Sequence, residues 1–167
     1  MSHMLAANWD RSRALVAWSR VLVAHSRRLA RPAFRGGSDV DDRLAGIRVI
    51  VVDDDEDNAD VFSTFLRACG ATVVTARSGA EALVCLDREP IDLLLTDVAM
   101  PHLSGIDLLR RVRAHPRHAT MPAIVMSGYP ERDFALDAGR FSAFMLKPVE
   151  LDELAAMVKR LVAGVRG

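Results

Sequence analysis

The sequence predicts a three-layer α/β domain built on a five-stranded parallel sheet. Short apolar runs recur from residue 47 onward, at residues 47–52, 72–75, 91–96, 123–126 and 143–146. Those with consecutive Val, Ile or Leu have the pattern of strands buried on both faces, as a parallel sheet requires. Amphipathic stretches with helix-start signals lie between them. Such alternation implies right-handed crossovers that place helices on both faces of the sheet. The domain is expected over residues 46–163.

Ahead of the sheet, Leu15, Leu22 and Leu29 recur every seventh residue, with Trp18 and His25 three positions after the first two. Arginines occupy much of the remainder. This predicts an amphipathic N-terminal helical extension within residues 1–37, stopped near Arg31 and Pro32, where proline disfavours continuation. The first four residues, Met1 to Met4, read as tag-derived. Residues 38–45, with Ser38 and the acidic Asp39, Asp41 and Asp42 following a glycine pair, read as a linker. The apolar stripe of the helix needs burial against the sheet domain, a twin helix or an upstream domain, because so short a heptad pattern is marginal alone. Docking or homodimer formation is therefore expected, through this helix or a face of the sheet domain.

Within the domain, the first strand runs out at Val51–Val52 before Asp53, Asp54 and Asp55. Val61, Phe62, Phe65, Leu66 and Cys69 form the stripe of the next helix. Asp55, Glu56 and Asp57 at its start read as capping and dipole partners. Ser78 followed by Glu81 is a capping box that opens the helix after the second strand. Leu108, Leu109 and Val112 mark the helix after the third. Residues 131–138 read as a brief helical stretch before Gly139. Leu151, Leu154, Val158 and Leu161 form the last stripe, opened by Glu150, Asp152 and Glu153 and closed by Lys159 and Arg160, as the helix dipole favours.

Formal net charge is zero, which argues against bulk attraction to nucleic acid or membrane. The balance is uneven: residues 1–46 hold eight arginines against four aspartates, and the rest of the chain carries the compensating negative charge. A DNA-binding module and aromatic interleaving are both missing, so no nucleic-acid partner is expected. Cys69 and Cys85 lie in no metal-type spacing and read as buried reduced thiols. No apolar run approaches a membrane span, and Arg20, Arg27 and Arg28 break up any signal-peptide core, so the chain reads as cytoplasmic and without membrane insertion. His102, His115 and His118 lie in loops without metal-type pairing and read as solvated.

In an open parallel α/β sheet, ligands bind beyond the carboxyl ends of the strands, at the topological switch point. The first strand there ends on Asp53 and Asp54, the third on Asp97, the fourth on Ser127 and the fifth on Lys147–Pro148. Clustered carboxylates repel one another, and desolvation adds to the cost of ionising all of them. A hard cation relieves this, and magnesium takes oxygen ligands from one or two carboxylates plus phosphate oxygens. The set therefore suits a small phosphorylated group, with Asp97 as nucleophile, Lys147 and the cation neutralising phosphoryl charge, and Ser127 as hydrogen-bond donor.

The order Asp53–Asp54, Asp97 with Met100–Pro101 and Gly105, Ser127, and Lys147–Pro148 resembles the receiver domain of two-component response regulators. The resemblance implies the flavodoxin-like (βα)5 receiver fold with strand order 2-1-3-4-5. It implies Asp97 as phosphoacceptor and magnesium, with manganese as a substitute, held by Asp54, Asp97 and the Ala99 backbone carbonyl, with Asp53 acting through a water. Ser127 and Phe144 would form the switch pair, the hydroxyl moving toward the phosphoryl group as the ring turns inward. Lys147–Pro148 would be cis. A histidine kinase or histidine phosphotransfer protein would be the phosphodonor, in a stand-alone regulator or in the receiver of a hybrid histidine kinase. The sequence does not name the downstream target.

Three departures from the family pattern stand out. Serine replaces the threonine often used as switch hydroxyl. Ala99 is smaller than the polar residue often found two positions after the phosphoacceptor, and it cannot orient a hydrolytic water. The stretch at residues 131–138 is short for the helix that precedes the fifth strand. The chain stops soon after the last helix, which leads to the expectation that no C-terminal effector domain follows. Two rival functions remain at this point. One is a haloacid-dehalogenase-like phosphohydrolase with Asp53 as nucleophile, although the fourth strand lacks the acids that chemistry wants. The other is a receiver-like scaffold that is not phosphorylated.

Overall fold

A computed structural model of the chain describes residues 42–131 and 139–167. The expected N-terminal helix, half of the expected linker and most of the 131–138 stretch lie outside these residues.

The described elements run in the order β1 (Arg48–Val52), α1 (Glu56–Ala68), β2 (Thr72–Ala76), α2 (Gly79–Arg88), β3 (Leu93–Asp97), α3 (Gly105–Ala114), a 3-10 turn (Pro116–His118), β4 (Ala123–Ser127), β5 (Ala143–Leu146) and α4 (Leu151–Arg166). The five strands form one sheet in the order β2-β1-β3-β4-β5, every pair parallel. β1 lies beside both β2 and β3, so the chain reverses its direction of winding between β1 and β3, where a crevice opens at the carboxyl edge.

Alternation along the central strands builds two cores, because successive strand side chains face opposite ways. Val49 and Val51 of β1, Leu93 and Leu95 of β3, and Ile124 and Met126 of β4 face one side. There they pack on Phe62 and Leu66 of α1 and on Leu154 and Val158 of α4. Ile50, Val52, Leu94 and Val125 face the other side and pack on Ala82 and Leu86 of α2 and on Leu108, Leu109 and Val112 of α3. Every residue of β3 and β4 is buried. Full burial of one such aliphatic side chain contributes roughly 1.5–3 kcal/mol, so these strands are the most firmly held parts of the sheet.

Caps set the helix starts. Asp55 is the N-cap of α1 and accepts from Asn58 N, with Glu56 and Asp57 in the first turn. Ser78 caps α2 by accepting from Glu81 N, while the Glu81 carboxylate reaches back one residue further than a capping box predicts and takes Arg77 N at 2.8 Å. Leu44, in the stretch read as linker, is fully buried, and its N–H donates to Cys69 O at 2.8 Å.

Three details differ from the sequence reading. β3 starts at Leu93 instead of Ile91. The Asp92 carboxylate just before it takes Arg48 N at 2.7 Å and Arg166 at 2.9 Å, an arrangement that apolar periodicity could not reveal. α4 continues past Lys159 and Arg160 to Arg166, which donates to the Gly46 carbonyl at 2.9 Å. His118 is buried, with its Nε2 lacking a hydrogen-bond partner, because the 3-10 turn folds against α2.

Candidate functional site

The carboxyl edge of the sheet gathers the predicted residues from four strands. Asp53 follows β1 and is 1% exposed; Asp97 ends β3 and is 5% exposed. Ser127 ends β4 at 2% exposure, and Lys147 directly follows β5 and is joined to Pro148 by a cis peptide. Lys147 Nζ lies 2.6 Å from Asp97 Oδ1 and 3.6 Å from Asp53 Oδ2. The Lys147 backbone N–H donates to Ser127 O at 2.8 Å, which ties the lysine to β4 as well. Ion pair and strand ladder together fix the ammonium between the two acids.

Each carboxylate has one oxygen held by the backbone. Asp53 Oδ1 accepts Asp55 N at 2.9 Å, and Asp97 Oδ2 accepts Ala99 N at 2.8 Å. Asp54 stands exposed beside them, near enough for its charge to act on Asp53. Ser127 Oγ accepts Tyr129 N at 2.9 Å. Phe144 is half-buried on β5, paired in register with Val125. Ser127 lies two residues beyond Val125, hence on the same face of the sheet as Phe144.

Electrostatics follow from this crowding. Burial pushes the Asp53 carboxyl up from 3.8 to about 7; the Asp97 charge adds to the rise, and Lys147 and the Asp55 N–H oppose it. Partial burial raises Asp54 also, helped by Asp97. For Lys147, burial works against the charge, but Asp97 and Asp53 outweigh it and raise the ammonium above its ordinary value.

The donor set fits a hard cation. Asp53 Oδ2 is buried without a hydrogen-bond partner, and such an oxygen is costly to leave unserved. Among the described residues no three His, Cys, Asp or Glu side chains form a cage of their own. Magnesium does not need one, since it takes one or two carboxylates and keeps several waters. Carboxylates, without thiol or imidazole, are its preferred chemistry.

The loop after Asp97 is shaped by two backbone features. His102 adopts φ 64°. Gly105, which opens α3, comes so close to the strand end that an added Cβ would lie 2.0 Å from the Asp97 carbonyl oxygen. The glycine is therefore required by close approach of helix to strand, a reason its place in the motif around Asp97 did not supply. Phe141, whose ring lies 6.0 Å from that of Phe144, was not singled out from the sequence. It stands outside the strand and belongs to no motif.

Fold and site define a response regulator receiver domain, and the chain belongs to that family, whose model matches residues 49–159. The fold is the flavodoxin-like receiver fold of two-component systems. The chain is 41% identical over 120 residues to an uncharacterized 14.6 kDa protein in the sodA1 3' region of Leptolyngbya boryana, covering 70% of this chain and 91% of that one. It is 36% identical over 117 residues to the DNA-binding transcriptional regulator NtrC of Escherichia coli (strain K12), covering 69% of this chain but only 24% of NtrC. Among solved structures it is similar to the response regulator protein TrrA of Thermotoga maritima in complex with Mg(2+)-BeF. That match has TM-score 0.63 at 27% identity and covers 69% of this chain and 98% of that one. Among the described residues no helix is long and apolar enough to cross a membrane.

Proposed function

We propose that the chain is a phosphorelay receiver that takes a phosphoryl group onto Asp97 and thereby switches protein–protein contacts. The donor is the phosphohistidine of a histidine kinase or histidine phosphotransfer protein. The observation that carries this reading is the Lys147 ammonium 2.6 Å from Asp97 Oδ1, at the switch point of a receiver fold.

An oxygen of Asp97 attacks phosphorus, and the phosphorus–nitrogen bond of the donor breaks as the phosphorus–oxygen bond forms. The electron pair leaves with the imidazole. Lys147 neutralises charge on the phosphoryl oxygens, which is most of what such transfer requires. Magnesium, or manganese in its place, would be held by Asp54, Asp97 and the Ala99 carbonyl, with Asp53 acting through a water. When bound it supplies further charge neutralisation of the kind the TrrA complex with Mg(2+)-BeF suggests. Ser127 gives up the Tyr129 N–H and donates to a phosphoryl oxygen, and the Phe144 ring turns inward to fill the space. The chain catalyses only its own phosphorylation and dephosphorylation, and Ala99 offers no side chain to orient a hydrolytic water.

In this reading residues 46–163 are the receiver, residues 38–45 a linker, and residues 1–37 a docking or self-association helix. The protein works in the cytoplasm through protein partners. DNA binding is a property of NtrC, of which this chain spans 24%, and is not proposed here. The hydrolase reading, with Asp53 as nucleophile, is disfavoured by the receiver family match and by a fourth strand that ends on Ser127 and not on the acids that chemistry wants.

Incubation with acetyl phosphate and magnesium, followed by intact-mass measurement, tests the proposal. One added phosphoryl group is expected in the wild type and none in Asp97→Ala. Equal labelling of both would remove the assignment, and no response to magnesium and beryllofluoride would favour a scaffold.

A further inference from the structure

Phe141 stands against the switch aromatic. Its ring centroid lies 6.0 Å from that of Phe144, with the ring planes tilted by 48°, a geometry within the attractive range for aromatic pairs. Both rings are partly buried against the core that α2 and α3 cover. The backbone on either side of Phe141 is pinned. The Arg140 carbonyl accepts Arg113 Nε at 2.9 Å. Ser142 N donates to Ala123 O at 2.8 Å, and Ser142 Oγ accepts Ala123 N at 3.2 Å. Phe141 is thus fixed to α3 on one side and β4 on the other. Its backbone cannot shift with Phe144 without breaking these bonds.

The hydroxyl and the acid of the proposed switch are both already engaged. Ser127 Oγ is engaged with Tyr129 N at 2.9 Å, and the acid it would serve, Asp97, is paired with Lys147. Phe144 meets Phe141 in this same arrangement, so a turn of the Phe144 ring away from its present position breaks the ring contact.

We infer that Phe141 is a positioning residue that holds the Phe144 ring in its present place and so sets the energy of the switch, an inference that rests on the receiver reading above. An aromatic pair of this kind biases an equilibrium by about two- to tenfold. A ligand that selects the switched state binds more weakly by the fraction of molecules held in the resting one. Loosening the abutment therefore tightens that ligand.

The test is a 19F NMR titration of the full chain with beryllofluoride in the presence of magnesium, comparing wild type, Phe141→Ala and Phe141→Leu. Phe141→Leu keeps an apolar filler and guards against loss of fold. Both substitutions are expected to tighten beryllofluoride binding by about two- to tenfold. In a Phe144→Leu background the Phe141 substitution should have no such effect, since the contact it removes is already gone. Unchanged or weakened binding in Phe141→Leu, or equal tightening in both backgrounds, overturns the inference while leaving the receiver reading intact. A wild-type chain that takes no beryllofluoride overturns both.

Discussion

The ammonium of Lys147 is 2.6 Å from an oxygen of Asp97, and the lysine side chain is itself only 17% exposed. Two largely buried carboxylates, Asp97 and Asp53, thus share one buried cation. Removing it leaves both uncompensated, and breaking a buried pair in this way costs about 3–5 kcal/mol. Lys147→Met is accordingly expected to lower stability by about that amount at pH 8 in EDTA, read by chemical denaturation. It should also slow acetyl-phosphate labelling by about a hundredfold or more. A variant labelled at the wild-type rate would show that the lysine does not serve the transfer.

Asp53 should give the metal-free protein a pH dependence of definite sign. Its folded value of about 7 stands above the ordinary 3.8, so the folded state holds a proton there that the unfolded state has lost. The stability this group contributes is fully present below the unfolded value. It is lost as pH rises through the folded value. Asp53→Asn should therefore stabilise the protein in EDTA at pH 8 more than at pH 4.5, by roughly a few kcal/mol in difference. Thermal unfolding at the two pH values checks this; a variant no more stable than wild type at pH 8 contradicts it.

Gly105→Ala tests the seating of the phosphoacceptor. A methyl group 2.0 Å from the Asp97 carbonyl cannot be accommodated without moving α3 or the strand end. Overpacking of this sort costs about 1–3 kcal/mol, and here more is expected because the contacted atom is backbone. Both denaturation midpoint and labelling rate should fall, and a neutral substitution would contradict the close approach.

His118 should titrate in the opposite sense to Asp53. Burial lowers its value, with the positive charges of His115 and Arg117 adding to the effect and Asp87 and the Leu86 carbonyl opposing it. A histidine held neutral in the fold contributes stability that is present above its unfolded value and lost as pH falls below it. Replacement by leucine should flatten the loss of stability between about pH 6.5 and 5, measured by thermal unfolding. An unchanged acid limb in His118→Leu would contradict this.

Most of the sheet was legible in the sequence because its central strands are buried on both faces. β3 and β4 read as unbroken apolar runs, and β1 carries alternating residues that feed both cores. The helix starts at Asp55 and Ser78 were legible because capping is a local event. The site itself was legible from what each strand ends on, since the carboxyl edge of a parallel sheet brings those ends together. The remainder depended on partners far away in sequence. Asp92 is held by Arg48 N and Arg166, His118 is covered by a helix of distant sequence, and Phe141 gains meaning only from Phe144 beside it. Gly105 was legible as part of the motif around Asp97, but only the approach of α3 to Asp97 gives the physical reason for it.

Borohydride reduction of the acetyl-phosphate-labelled protein, followed by peptide mass mapping, tests the central claim most directly. Reduction converts an aspartyl phosphate to homoserine and so marks the residue that carried the phosphoryl group. The account predicts homoserine at position 97 alone, dependent on magnesium and on Lys147. Homoserine at position 53, or at neither position despite a labelled intact mass, would contradict it.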